Sequence, residues 1–537
     1  MTPALSLRTR WMAATLLLLA FFLAFYRTAW VAEDAFITFR VIDNWIAGHG
    51  LRWNIDERVQ VFTHPLWMFL LSPLVWLSSD PYWSSIGLSA ALLLVFCLLC
   101  LKAMGGPHLR SLLALSTLLW CQAFVDYSSS GLENPLTHVL LVLFFIAWKT
   151  EHPHRVLRLS ALSALLFLNR PDAVVLVAPA LVASLAASRD KPAVLVRQFL
   201  PGLLPAVLWT LFSLFYFGSP VPNTAIAKVL NGLTAAQSAQ QAWNLVVHAY
   251  EYDLPTLVTI LAGLVFGLTR AALRPIAAGI GLWFGYLVYV GGDYMAGRFL
   301  AGPLVFSILV LGTVGLSSLY TVTWALLLVA STGALHATVL SPISYQQRFV
   351  MPSGIANERG FYYQELGMRR VLEHHSWKLH PWFVEGGKLR KQPPGVYAKC
   401  NIGMTAFAAG SQATWIDPLA LAEPFLARLP ARSNSRVGHY ERAFPEGFLT
   451  ARATGSNTLA EPALQRLWTD IRLATSANLF SLERLASIKR LNLDKKLYVP
   501  EHFDKDAVGI PGHPVTSRSQ TSCMGYPGEV QFTLRLQ

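Results

Sequence analysis

Charge is scarce in this chain of 537 residues: Asp, Glu, Lys and Arg together make up 14% of it, against about 25% in an ordinary soluble domain. That scarcity argues against a soluble enzyme. The 54% share of hydrophobic residues, with a mean hydropathy of +0.43, excludes a disordered chain. Cysteine is also sparse, at five residues. Cys97, Cys100 and Cys121 lie in apolar runs and read as buried thiols. No zinc-type cysteine and histidine spacing occurs. Cys400 and Cys523 share the more polar end of the chain and are free to pair if that end is extracytoplasmic. There is no internal repeat and no low-complexity segment, so the repeated halves of many transporters are missing.

What charge there is falls unevenly. Residues 1–340 hold 19 Lys+Arg and 14 Asp+Glu, whereas residues 341–537 hold 24 and 16. The expected organisation is therefore a membrane domain over 1–340 and a soluble domain over 341–537. Arg8 and Arg10 precede the first apolar run, Trp11 to Tyr26, which places the N-terminus in the cytoplasm. Further runs follow near 82–101, 111–125, 135–148, 156–168, 173–187, 198–217, 254–269, 275–290, 299–314 and 319–338. Several fall short of the roughly 20 residues that span a bilayer. Together they give about eleven spans, an odd number, and put the C-terminal domain outside. The run from Pro65 to Leu77 is read as interfacial or re-entrant. Counting it as a span would turn Lys102, Arg110, Lys149, Arg155 and Arg158 outward, against the positive-inside rule. Two large outer loops result, about 31–81 and about 218–252. Basic residues on the cytoplasmic side account for much of the +13 net charge, so the excess marks orientation rather than nucleic-acid binding.

The first outer loop opens Glu33-Asp34-Ala35-Phe36-Ile37-Thr38-Phe39-Arg40. Carboxylates at a membrane edge are costly unless solvated or paired. Here they are either a solvated helix end or a base for an acceptor hydroxyl. On a helix Glu33 and Asp34 point about 100° apart, so one of them faces a given substrate. Phe62-Thr63-His64-Pro65 follows, where His64 caps the next helix or meets a phosphate. More polar islands land on the same side: Ser128–Pro135 with Glu133, Asn169-Arg170-Pro171-Asp172, Gly291–Arg298 with Asp293, and Tyr216–Thr224 with Asn223, followed by Lys228. Each alone reads as a plain loop; their shared depth favours a site. Arg40, His64, Arg170, Lys228 and Arg298 are the candidates for a lipid-linked phosphate. Glu133, Asp172, Asn223 and Asp293 are the candidates for the rest of the substrate.

The stretches EDAFITFR, GHGLRWN, ERVQVFTHPLW, SGLENPL, NRPDA, YFGSPVPNTAIAK and GGDYMAGRFL, taken in order, resemble the class C membrane glycosyltransferases. Within that class the chain is similar to the mycobacterial terminal arabinofuranosyltransferases and their pilin-modifying relatives. The likeness runs on through Trp415–Leu421, Leu426–Pro430 and Arg436–Arg442, to about residue 450. The resemblance implies a polytopic α-helical membrane protein that takes a sugar from a polyprenyl phosphate at the outer leaflet, with Asp34 as the catalytic carboxylate. Two aspartates often precede Ala-Phe in the family. Glu33 holds the first place here and stays a secondary candidate. The implied donor is polyprenyl-phosphate D-arabinofuranose and the acceptor a glycan or protein hydroxyl, in the cytoplasmic membrane of a bacterium. A metal is not required and no other cofactor is expected, though a divalent ion is compatible with the chemistry. As the anomeric carbon becomes oxocarbenium-like, cationic side chains would stabilise the leaving phosphate.

Residues 341–537 read as mixed α/β, with helices near 361–376 and 461–491 and short strands near 404–408 and 413–416. At about 200 residues the region is large enough for its own core. His439 and Arg442 are candidates for acceptor binding, set against a structural role. Other readings of the whole chain are a transporter or flippase for a lipid-linked glycan, a class C transferase for another polyprenyl-phosphate sugar, and a glycan-binding membrane receptor.

Overall fold

The computed structural model describes residues 6–229, 233–314, 350–433, 435–494, 503–507 and 532–534. The expected run at 319–338 and Cys523 lie outside them. The N-terminal part is a succession of helices: α1 (Leu7–Thr28), α2 (Glu33–Ile46), α3 (Pro65–Ser78), α4 (Pro81–Ala103), α5 (Leu109–Thr117), α6 (Gln122–Asp126), α7 (Asn134–Lys149) and α8 (Arg155–Asn169). Then come α9 (Val174–Ala186), α10 (Pro192–Phe217), α11 (Asn223–Val229), α12 (Ala235–Tyr252), α13 (Leu254–Thr269), α14 (Arg274–Val290) and α15 (Ala301–Thr313). Local signals set several ends. The Ser6 hydroxyl accepts from the Thr9 N–H at the start of α1. Asp80 does the same for Trp83 ahead of Pro81, which opens α4.

Among the described residues four helices are long and apolar enough to cross a bilayer: α1, α4, α10 and the run Ala271–Val290. A fifth span is possible if α12 and α13, which meet at 114°, are taken together. Shorter apolar helices, α3 and α7 among them, fill in between. The chain is thus helical with several apolar helices, and eleven spans are not reached by length and composition alone.

The described chain divides into two compact units. The first comprises residues 1–32, 64–206 and 235–377, and the second residues 33–63, 207–234 and 378–537. In chain position these units cut across the expected division at residue 340.

In the first unit, glycines let helices approach closely. A Cβ on Gly279 of α14 would collide with the Leu176 carbonyl of α9. One on Gly263 of α13 would strike Ser307 of α15, and one on Gly202 of α10 would strike Ser160 of α8. Small residues at crossings suit helices in lipid, where packing rather than water exclusion drives association. Residues 350–377 fold with this unit. The Ala356 N–H donates to the Tyr294 carbonyl at 2.6 Å, and the Ala296 N–H to the Ala356 carbonyl at 2.9 Å. Two short helices follow, α16 (Glu358–Leu366) and α17 (Met368–His374). The expected single helix over 361–376 is broken between them at Gly367, which pairs with Trp30. Trp30 stacks on Tyr362, and Tyr82 on Trp377.

The second unit contains α18 (Pro381–Leu389), β1 (Val396–Ala398), α19 (Gly403–Ala409), β2 (Thr414–Ile416), α20 (Phe448–Thr454), α21 (Pro462–Ser476), α22 (Leu482–Leu493) and β3 (Phe532–Leu534). The sheet order is β2-β1-β3, with β1 parallel to β2 and antiparallel to β3. The connection from β1 to β2 runs through α19. The strand expected near 404–408 is therefore a helix, whereas that near 413–416 is a strand. With three-residue strands beside these five helices among the described residues, the mixed α/β label describes this region only thinly. Its core gathers Ile416, Phe425, Phe448, Leu467, Trp468 and Ile471. Residues 33–63 are built into it. The Asn54 amide donates to the Trp415 carbonyl and accepts from the Trp415 N–H, each at 3.0 Å, and so mimics a strand neighbour of β2.

Candidate functional site

Glu33 and Asp34 form the first turn of α2, where the helix dipole favours negative charge. They have different tasks. Glu33 is buried, and its Oε1 accepts the Met404 N–H at 3.1 Å, which satisfies an otherwise unpaired donor in the first turn of α19. Gly403 makes this possible, since a Cβ there would run into the Glu33 carbonyl oxygen. Asp34 beside it is half-buried.

Three expected ligands of the second unit turn out to hold backbone. Arg40 donates through Nε to the Trp53 carbonyl, through Nη1 to Ala406 and Gly410, and through Nη2 to Ala413. It is buried, and burial pulls its pKa down to about 9. With its fork closed by carbonyls it does not take a phosphate. Asn223 bonds the Ala420 and Leu421 carbonyls at 2.9 and 3.0 Å. Its amide fixes the turn after β2 rather than a substrate. Arg442 is fully buried and donates to the carbonyls of Leu429, Tyr440 and Ala227, so it presents nothing to an acceptor. All three corrections share one cause. Irregular backbone leaves carbonyls inside the fold, and long polar side chains satisfy them.

Arg442 also fixes the end of α11 through Ala227, which is followed by the exposed Lys228. His439 is half-buried, with Nδ1 2.8 Å from Arg436 Nη2. Burial, then the charges of Arg436 and Lys228, hold the ring well below the usual histidine range. Lys228 and Arg436 thus bring positive charge up to the His439 ring.

In the first unit Glu133 is a hub just before α7. Arg298 Nη2 donates to its two oxygens at 2.9 and 3.1 Å. Arg170 Nη1 lies 3.8 Å away and His64 Nδ1 3.5 Å. Arg170 also grips Asp172 with three contacts of 2.9–3.2 Å and lies over the Phe299 ring at 4.6 Å. Burial pushes the Glu133 carboxyl up, but Arg298, His64 and Arg170 outweigh it and bring its pKa to about 2. The Asn169 amide donates to the Glu133 carbonyl and to Thr137 Oγ1. Asp293, on the turn that leads to Arg298, accepts the Met295 N–H at 3.2 Å. Of the residues expected at one site, His64, Glu133, Arg170, Asp172 and Arg298 lie together here. The result is a pair of oriented guanidiniums, each held by a carboxylate, Arg298 by Glu133 and Arg170 by Asp172.

Two features escaped the sequence reading. Arg452 bonds Glu57 and Glu423 and approaches Asp56, with Arg452, Glu57 and Glu423 all buried. Asp504-Lys505-Asp506 is an Asp-x-Asp triplet, in which Asp506 accepts from the Ser433 N–H and hydroxyl. Only its spacing could have flagged it. Among the described residues no three His, Cys, Asp or Glu side chains are grouped to hold a metal ion. Cys400 is disulfide-bonded.

A family model for the AftB family C-terminal domain matches residues 346–466. The chain is 25% identical over 531 residues to the terminal β-(1→2)-arabinofuranosyltransferase of Mycobacterium tuberculosis, with 81% of this chain and 84% of that one covered. It is 26% identical over 534 residues to the protein of the same name from Corynebacterium glutamicum, covering 81% and 76%. A looser likeness, with a TM-score of 0.36 and 17% identity, is to the cryo-EM structure of the arabinofuranosyltransferase AftD from mycobacteria; it spans 86% of this chain and 38% of that one. The two relatives and the C-terminal match agree in kind, and the chain is similar to the arabinofuranosyltransferases.

Proposed function

We propose that this protein moves D-arabinofuranose from a polyprenyl-phosphate donor to a hydroxyl of a glycan or protein at the outer face of a bacterial cytoplasmic membrane. The likeness to two terminal β-(1→2)-arabinofuranosyltransferases over 81% of the chain carries the reading. About eleven spans, a cytoplasmic N-terminus and an extracytoplasmic C-terminal region belong to the same proposal.

Asp34 is the catalytic carboxylate. Its partial exposure supports this, as does the engagement of Glu33 with Met404. In an inverting reaction Asp34 would take the acceptor proton while the phosphate departs from the opposite face; in a retaining one it would be the nucleophile. Arg170, Arg298 and His64 carry the phosphate, and Glu133 positions them. Asp172 and Asp293 orient sugar hydroxyls. Lys228 and His439 serve an anionic part of donor or acceptor.

The test is an in vitro assay with a panel of polyprenyl-phosphate sugars that reads both the glycosylated acceptor and free polyprenyl phosphate. The arabinofuranose donor is expected to be consumed and Asp34→Asn to abolish turnover. Lipid movement without release of polyprenyl phosphate would make the protein a flippase instead. Full activity of Asp34→Asn would remove that residue from the chemistry.

A further inference from the structure

Helix α22 in the second unit has two faces. Arg484, Ser487, Ile488 and Leu491 are buried in the fold. The opposite stripe, Leu482, Leu485, Ala486, Lys489 and Leu493, follows the 3.6-residue period yet is exposed. Leu482 is 82% exposed, Leu493 71%, and Phe480 in the preceding turn 76%. So much apolar surface on the outside of one helix points to a covering partner.

The neighbouring element identifies that partner. The Phe480 ring lies 5.5 Å from that of Phe215, near the C-terminal end of α10. Arg484 clamps the same end. Its Nη2 donates to the carbonyls of Phe215 and Tyr216, and its guanidinium lies 5.7 Å from the Phe215 ring. Helix α10 is 26 residues long, with only 11% of its apolar window buried in protein. Leu208, Leu211, Phe212 and Phe215 are exposed along it. If α10 spans the bilayer, its uncovered sides meet lipid, and the surface of Phe480 and α22 continues from its end.

We propose that the Phe480 turn and the outer stripe of α22 seat the second unit on the bilayer, dipping into the interface beside the end of α10. Phe480, Leu482, Leu485 and Leu493 enter the acyl boundary, and Lys489 reaches back to the headgroups along its methylene stem. Glu483 stays at the N-terminal turn of α22, where the helix dipole favours it. Arg484, carried by α22 and bound to the Phe215 and Tyr216 carbonyls at the end of α10, sets the height of one helix against the other. The partner is a lipid surface rather than a second protein. This rests on the reading of α10 as a span.

Spin labels test it in the full-length protein in lipid nanodiscs. Single substitutions Phe480→Cys, Leu482→Cys and Leu493→Cys are compared with Leu208→Cys on α10 and with Arg466→Cys on the polar surface of α21. Native Cys97, Cys100 and Cys121 are buried, and unsubstituted protein gives the labelling background. Collision with oxygen should exceed collision with a water-soluble nickel chelate at 480, 482 and 493, as at 208, with the order reversed at 466. Nickel-dominated relaxation at 480 and 482 beside an oxygen-dominated 208 would overturn the proposal while leaving the span intact. Nickel-dominated relaxation at 208 as well would overturn both.

Discussion

At the residue scale, the two neighbouring acids of α2 should separate cleanly. Glu33→Gln keeps a carbonyl oxygen for the Met404 N–H and is expected to retain most of the transfer activity and thermal stability. Glu33→Leu leaves that buried N–H unmet and should lower stability by about 1–3 kcal/mol, read as a fall in unfolding temperature in detergent. Asp34→Asn should show the reverse, with stability near wild type and transfer lost. Glu133 adds a pH dependence. Its folded pKa, about 2, lies below the ordinary 4.5. The stability it contributes is therefore complete above the ordinary carboxylate range and drains away as pH falls through about 2. Between pH 4.5 and 2 the wild-type unfolding temperature should fall more steeply than that of Glu133→Gln, which has no carboxyl to protonate. Equal slopes would remove Glu133 from the ion pairs. The cluster around Glu133 was legible in the sequence because its members sit in short polar islands between apolar runs. The tasks of Arg40, Asn223 and Arg442 were not, because each satisfies at least one carbonyl on backbone remote in sequence. Arg40 reaches across more than 360 positions to Ala406.

At the element scale, apolar runs named helices well. The run 82–101 became α4 and 198–217 the end of α10, since length and composition suffice when a helix faces lipid or other helices. Residues 404–408 defeated the same reading. Five mostly small residues between turns fit strand or helix locally, and the cap that makes them helical comes from Glu33, far upstream. The Gly403 contact gives a sharp expectation. Gly403→Ala should destabilise by about 1–3 kcal/mol, as overpacking does, because the Glu33 carbonyl occupies the space the methyl needs. Gly279→Leu should be worse, since the Leu176 backbone cannot yield as a flexible side chain can. An unfolding temperature unchanged in either variant would mean that these helices do not cross so closely.

At the scale of the whole molecule, the second unit is assembled from three separate stretches of chain. The family match at 346–466 starts in the first unit and ends in the second, so it is not a free-standing domain. Residues 378–537 expressed alone lack Asn54 for Trp415, Glu57 for Arg452 and the Arg40 fork for the turn after α19. They are expected to show no cooperative thermal transition by calorimetry or near-UV circular dichroism. Supplying residues 33–63 through a linker should restore part of one. Within the intact chain, Arg452→Met should cost about 3–5 kcal/mol by leaving Glu57 and Glu423 buried without their cation.

This discontinuity also sets an order of events in the cell. The segment 33–63, with Phe36, Phe39 and Trp53, is synthesised about 360 residues before the region that packs on it. At about 5–20 residues per second, ribosomes need tens of seconds to bridge that gap. For that interval those aromatic side chains wait uncovered, so the segment is the part of the nascent protein most in need of a holding partner.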